Sequence, residues 1–123
     1  KCLRRGEWYL ERRVPDMVVR RFDVFRNPST ASSKNIPWFL VVQSDLLDAM
    51  DTCVVVPLAR AQVARRAASE RLNPLFKVEG ADVVQLTQLV AAVPMDSLRK
   101  PVANLEPHRE VILRAIDFLF SGI

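Results

Sequence analysis

The end of the chain constrains the fold most, because its apolar residues repeat with a helical period over residues 105–123 (LEPHREVILRAIDFLFSGI). Pro107 suits a first helical turn and Gly122 suits the C-cap. At about 100° per residue, one broad face collects Val111, Ile112, Ala115, Ile116, Phe118 and Leu119. The outer face carries Glu110, Arg114, Asp117 and Ser121, with Leu113 and Phe120 at the border. This pattern predicts an amphipathic helix packed on a sheet.

The segments before this helix alternate or form β-branched runs, which is typical of strands. Strands are predicted at residues 18–25, 37–43, 53–59, 75–79 and 83–93, with Pro57 marking the edge or end of the third. Turn residues predict a long loop at 27–35 and a tight turn at 80–82, whereas 60–72 has helix propensity throughout and 95–104 is a link. The residues alone thus predict a mainly β domain of about five strands, mostly antiparallel, with one C-terminal α-helix.

Composition fits one soluble domain of 123 residues, half of them hydrophobic. No apolar run approaches the roughly 20 residues that a membrane span needs, and no secretory pattern is present, so a cytoplasmic location is expected. The net charge of +4 is shared between residues 1–16, which contribute +2, and a nearly balanced remainder. This balance does not indicate a basic face for nucleic acid.

Residues 1–16 differ in character from the rest, being rich in charge and ending near Pro15. They are interpreted as a flexible or non-native N-terminal extension, with Met17 as the natural start of a domain over 17–123. The alternative is a true arm that docks through Trp8, Tyr9 and Leu10.

Few residues are candidates for binding a metal or a partner. Asp45, Asp48 and Asp51 recur at three-residue spacing, but no glycine or closing glutamate completes a calcium loop, so a solvated turn is favoured over a metal site. The adjacent Leu46 and Leu47 are apolar residues in an acidic loop, which suits contact with a partner.

Catalytic groups are also few. His108 is the only histidine and is interpreted as a capping or surface residue, while Cys53 lies in an apolar run and is expected to be a buried thiol. The arginines at 60, 65, 66 and 71 could bind phosphate, although a solvated charged face is the commoner meaning. No glycine-rich phosphate loop exists. We therefore expect no catalytic residues, no metal and no cofactor, and a small β domain that binds a partner.

Several motifs together resemble the CcdB toxin family. They are the run VQSDLLD at 42–48, VPL at 56–58, AVP at 92–94, Leu105 followed by His108-Arg109, and the ending FSGI at 120–123. Their order and spacing extend from about Met17 to the last residue. The VQSDLLD run and the FxGI ending are rather specific.

The resemblance implies an SH3-like antiparallel barrel with a small extra sheet and a C-terminal helix, assembled as a homodimer. It implies the toxin of a type II toxin–antitoxin system in the bacterial cytoplasm, which binds the DNA gyrase A subunit and traps the gyrase–DNA cleavage complex. A CcdA-type antitoxin neutralises such toxins with a disordered tail that folds on binding, and the pair represses its own operon. Operator DNA is accordingly expected to bind only the complex with antitoxin.

Carried over by motif, the gyrase-binding positions are Leu46, Leu47, Asp117, Phe120, Ser121, Gly122 and Ile123. The antitoxin-binding loop falls near residues 27–35. Two positions depart from the best-known members, which have asparagine at position 117 and tryptophan at position 121. Because an interfacial Trp is a typical hot spot, the resemblance predicts a toxin whose gyrase poisoning is weakened.

Two other functions remain open. A ribonuclease toxin of the MazF type shares this barrel but would need a basic, catalytically furnished groove, against which the balanced charge argues. A detoxified regulatory protein would bind only antitoxin and, with it, operator DNA.

Overall fold

Seven strands follow one another in the part of the chain that a computed structural model describes, residues 18–64 and 69–122. They are β1 (Asp23–Arg26), β2 (Trp38–Val41), β3 (Thr52–Arg60), β4 (Leu75–Val78), β5 (Ala81–Gln85), β6 (Ala91–Pro94) and β7 (Ala103–Asn104). The α-helices are a single turn, α1 (Ala61–Ala64), and the C-terminal α2 (Arg109–Ser121). Short 3-10 helices span Asp45–Leu47, Thr87–Leu89, Met95–Ser97 and Glu106–His108.

All strand pairings in the described ranges are antiparallel, and the strand order is β4-β5-β3-β2-β1-β7. β6 pairs with the first half of β3, outside this order. The result is a nearly closed barrel sheet with one C-terminal helix, so the predicted mainly β, SH3-like fold is confirmed. Seven strands appear instead of about five, because β6 and β7 were not recognised as separate elements.

The amphipathic helix packs on the sheet, but through a narrower stripe than its periodicity predicts. Ile112 and Ala115 are completely buried, and Leu113 and Ile116 pack at the edge of the same core. Val111 was predicted on the buried face and is 42% exposed, which corrects that prediction. It lies about 100° around the helix from Ile112, beyond the contact with the sheet.

β3 is the central strand of the sheet, and Pro57 lies in its middle instead of at an edge or end. One side of β3 pairs with β2 from Val55 to Leu58, and Pro57 is opposite Phe39. On the other side the pairing with β6 stops at Val55 and the pairing with β5 starts at Leu58. Pro57 lies in this gap, and its carbonyl accepts a hydrogen bond from Leu86 N at 2.9 Å. Because no strand pairs with β3 at this point of the gap, the missing N–H of Pro57 leaves no interstrand hydrogen bond unformed.

The first strand is shorter than predicted, starting at Asp23 and not at residue 18. A turn precedes it, in which the Asp23 carboxylate accepts from Arg20 N at 3.0 Å. Phe22 then has a φ of 74°, a left-handed conformation that ends any extended run. Periodicity could not reveal this break, because Phe22 is still buried, as an alternating strand requires.

Helix propensity extends over 60–72, but among the described residues of this segment only Ala61–Ala64 is helical, since Arg60 ends β3 and 69–73 is turn and irregular chain. The strand predicted at 83–93 is also divided. Leu89 N and Val90 N donate to Leu86 O and Thr87 O, which closes a 3-10 turn between β5 and β6. Tertiary hydrogen bonds fix this turn, since Thr87 Oγ1 donates to Leu72 O.

The predicted hairpin across Gly80 is present, although its turn is Glu79-Gly80, with φ angles of 50° and 82°. Residues 81 and 82 already belong to β5. The expectations for residues 1–16 and Met17 lie outside the described residues and stay predictions.

Candidate functional site

The acidic loop forms a 3-10 turn, held by hydrogen bonds, that presents leucine to solvent. The Ser44 hydroxyl accepts a hydrogen bond from Leu46 N at 3.1 Å and so caps the start of the turn. Leu46 is 92% exposed and Leu47 46% exposed, so neither side chain contributes much to the core. The turn therefore exposes apolar side chains that the core does not need for its stability.

A buried amide fixes the base of this loop. Gln43 is only 9% exposed, and its Nε2 donates to Leu47 O at 3.2 Å and to Thr52 O at 3.3 Å. Its Oε1 accepts from Val54 N at 3.1 Å. One side chain thus joins both ends of the loop, which keeps Leu46 at a fixed place relative to β3.

Asp45 holds the loop from the other side. Its Oδ1 accepts from Arg21 N at 2.7 Å, while Arg21 Nε donates to Val42 O at 3.2 Å. The carboxylate that sequence analysis considered as a metal ligand is therefore a tether between the loop and the segment before β1. Asp48 and Asp51 also interact within the protein. No cluster of three or more potential metal ligands occurs in residues 18–64 and 69–122.

Asp45→Ala is expected to lower the free energy of unfolding by about 1 kcal/mol, because it removes the acceptor of a charge-assisted hydrogen bond at an exposed site. Urea denaturation at fixed protein concentration measures this. Asp45→Asn keeps an acceptor oxygen and is expected to cost less than half as much. Equal losses from both variants would contradict the tether.

The second apolar point lies at the C-terminal end of α2. Phe120 is 73% exposed, and Asp117 is exposed one turn earlier. Gly122 caps the helix with a φ of 73°, and its N donates to Phe118 O at 3.0 Å. The predicted C-cap is confirmed, and only a residue free to adopt the left-handed region suits it. Ile123 lies outside the described residues.

Ser121 directs its polar group back to its own helix. The hydroxyl donates to Asp117 O at 2.6 Å, the usual bond of a serine to the carbonyl four residues earlier. The hydroxyl is thereby committed within the helix, and the side chain adds no apolar surface beside Phe120. Sequence reasoning recognised the small residue but not this bond.

The loop at 27–35 has an anchor that composition did not suggest. Asn27 is 8% exposed, and its Nδ2 donates to Ser32 Oγ at 2.9 Å and to Ile36 O at 2.8 Å. Its Oδ1 accepts from Ser29 N at 2.9 Å. The signal was the Asn-Pro-Ser sequence, which is typical of an Asx turn.

The candidate catalytic groups lie apart in the packing. His108 is exposed, as expected for a surface residue, and its ring contacts that of Phe76, with centroids 5.1 Å apart. Cys53 is instead buried in a cluster with Phe25 and Met95. A buried thiol away from the histidine is not an activated nucleophile, so these two residues do not form a Cys–His pair.

The described arginines of the 60–72 segment contact aromatic rings. The guanidinium of Arg60 lies 5.7 Å from the Trp38 ring, and that of Arg71 lies 4.3 Å from the Phe118 ring. Arg65 and Arg66 lie outside the described residues. The phosphate-binding alternative therefore gains no support from Arg60 or Arg71.

A nearly closed antiparallel barrel that ends in one helix defines a small β-barrel protein, in which Leu46 and Phe120 are the most exposed large hydrophobic side chains of the described residues. No helix among the described residues has both the length and the apolar character of a membrane span. The family model described as CcdB protein matches residues 21–122. The chain therefore belongs to the CcdB family, the toxins of toxin–antitoxin systems that poison DNA gyrase.

Proposed function

We propose that this protein binds the A subunit of DNA gyrase and traps the gyrase–DNA cleavage complex, and that Ser121 weakens this activity. The observation that carries the proposal is the exposure of two apolar side chains to solvent. Leu46 at 92% and Phe120 at 73% are the two most exposed large hydrophobic side chains of the described residues. Both are positions assigned to gyrase through the family motifs, and exposed apolar side chains without a core role are typical of binding sites.

The hydrogen bonds that hold both apolar side chains in place support the same proposal. Gln43 and Asp45 hold the loop, and the Gly122 cap ends α2 just beyond Phe120. A surface held in its bound conformation loses little conformational entropy on association. Leu47, Asp117, Ser121, Gly122 and Ile123 complete the proposed surface.

The remaining partners are proposed at family level. The protein acts in the bacterial cytoplasm as a homodimer that a CcdA-type antitoxin neutralises near the loop at 27–35. The two proteins repress their operon together, so operator DNA binds the complex and not the toxin alone. A gel shift with and without antitoxin, across salt concentrations, separates these cases.

Calorimetry with the full-length chain and a gyrase A fragment tests the gyrase surface. In a Ser121→Trp background, Leu46→Ala is expected to weaken binding about tenfold or more, as truncation of an apolar anchor does. Leu75→Ala is the matched control, because Leu75 is 64% exposed on β4 and outside the proposed surface. If Leu75→Ala weakened binding as much as Leu46→Ala, the loop would have no specific role.

The regulatory alternative gains one specific observation, the Ser121 hydroxyl bonded within its own helix. A protein that lacks its main gyrase anchor could still bind antitoxin. Absence of gyrase binding by both the wild type and Ser121→Trp, with antitoxin binding intact, would favour that role.

A further inference from the structure

The C-terminal end of α2 extends beyond the part of the helix that the core holds. Ala115 is the last completely buried residue of α2, and Ile116 packs at the edge of the core. Phe120 follows Ala115 by five positions, which places it about 7.5 Å further along the helix axis. The helix end that carries Phe120 therefore receives less support from the core than the middle of the helix does.

A side chain from another segment contacts this helix end. The guanidinium of Arg71 lies 4.3 Å from the centroid of the Phe118 ring. At this distance the negative face of the ring attracts the cation. Phe118 is partly buried and lies about 200° around the helix from Phe120. Arg71 therefore approaches α2 from the side roughly opposite the exposed phenylalanine.

The charge of Arg71 suits the helix end as well as the ring. The carbonyl groups at a helix C-terminus carry partial negative charge, and a cation beside them stabilises the last turn. The last turn of α2, residues 118–121 (FLFS), contains no basic residue. The Arg71 guanidinium forms no ion pair or hydrogen bond with another described residue, so no described carboxylate neutralises its charge.

The turn that carries Arg71 is itself fixed to the sheet. Asn73 is buried, and its N donates to Ser69 O at 2.6 Å, while Ser69 N donates to Asn73 Oδ1 at 3.2 Å. The Asn73 Nδ2 donates to Gln85 O at 3.0 Å and to Gln88 Oε1 at 2.8 Å. These bonds close the turn around Arg71 and join it to β5 and to the 3-10 turn after β5. Arg71 thus contacts α2 from a segment that is held in place.

We propose that Arg71 is a positioning residue for gyrase binding. Through Phe118 it holds the C-terminal end of α2, and with it the direction of Phe120, without contacting gyrase itself. This inference rests on the proposed function of the surface that contains Phe120. A helix end that is held before association loses less conformational entropy on binding. Loss of the contact between Arg71 and Phe118 is therefore expected to lower the affinity for gyrase.

Calorimetry with a gyrase A fragment and the full-length chain, in the Ser121→Trp background, tests the effect on affinity. Arg71→Met removes the charge but keeps a long side chain, and it is expected to weaken binding about three- to fivefold. Arg71→Lys keeps the charge and is expected to stay within about twofold. Phe118→Leu removes the ring, and adding Arg71→Met to it is expected to cause no further loss, because the two side chains act as a pair. Additive losses in the double variant would overturn the pairing.

Amide hydrogen exchange of the free protein gives a readout that a general loss of stability would not reproduce. In Arg71→Met, exchange at the amides of residues 118–121 is expected to become about three- to fivefold faster, while exchange in β3 stays unchanged. Arg99→Met is the matched control, because it makes the same change at an exposed arginine outside α2 and outside the 69–73 turn. It is expected to change neither the exchange nor the affinity.

Unchanged exchange at residues 118–121 in Arg71→Met would overturn the inference. Equal effects of Arg71→Met and Arg99→Met, or exchange that became faster in β3 as well, would overturn it too. If Ser121→Trp with Arg71 intact did not bind the gyrase fragment, the proposed function would fail. The exchange at residues 118–121 would then still decide whether Arg71 holds the helix end.

Discussion

Ser121→Trp is expected to raise the affinity for a gyrase A fragment by roughly 30- to 1000-fold and to restore strong growth inhibition. An interfacial tryptophan contributes roughly 2–4 kcal/mol, and about 1.4 kcal/mol corresponds to each factor of ten. The site can accept the ring, because Ser121 is exposed next to Phe120 at the end of α2. The bond from its hydroxyl to Asp117 O is lost, but such bonds contribute little to a helix.

Two control variants isolate the ring. Ser121→Ala removes only the hydroxyl and is expected to leave toxicity unchanged. Glu110→Trp places the same ring at an exposed position near the start of α2 and is expected to have no effect on gyrase binding. Toxicity that rose equally with Glu110→Trp would point to general stickiness. An unchanged affinity in Ser121→Trp would sink the idea that this position is the missing anchor.

Phe22→Ala is expected to cost about 3–5 kcal/mol of the free energy of unfolding, a large share of the roughly 5–15 kcal/mol of a typical domain. Phe22 is 1% exposed in the main core, with the guanidinium groups of Arg21 and Arg109 at 5.3 and 5.7 Å from its ring. The backbone adds a second effect. At a φ of 74° alanine is strained by roughly 1–2 kcal/mol, whereas glycine is not.

Phe22→Gly is therefore expected to be at least as stable as Phe22→Ala, which reverses the usual order of these two residues. Phe25 supplies the matched control, because it is equally buried in β1 but is not among the positive-φ residues. There, glycine is expected to be less stable than alanine by about 1 kcal/mol. Urea denaturation at one protein concentration compares all four variants. The same order at both positions would show that Phe22 stores no backbone strain.

Elements with a regular hydrophobic pattern could be predicted from sequence, because that pattern depends only on which face of the same helix or strand is buried. The helix, β2, β3 and the Gly80 hairpin all follow from local patterns, and the border position of Phe120 indicated its exposure. The resemblance then supplied the barrel and the proposed partners, which no local pattern contains.

What escaped prediction depends on pairing between distant segments. The gap that accommodates Pro57 exists only where β6 and β5 meet along β3. The strand predicted at 83–93 is divided by a 3-10 turn, which a hydrogen bond from Thr87 to Leu72 holds in place.

The change of pairing partner along β3, from β6 to β5, affects how the protein unfolds. One strand hydrogen-bonds to β2 on one side and to β6 and then β5 on the other. The Leu46 loop joins β2 to β3, and the β4–β5 hairpin pairs with β3 through β5. If either one unfolds beyond its tip, backbone hydrogen bonds of β3 must break. We therefore expect the segments on both sides of β3 to unfold as one cooperative unit, with the slowest hydrogen exchange at the amides of β3.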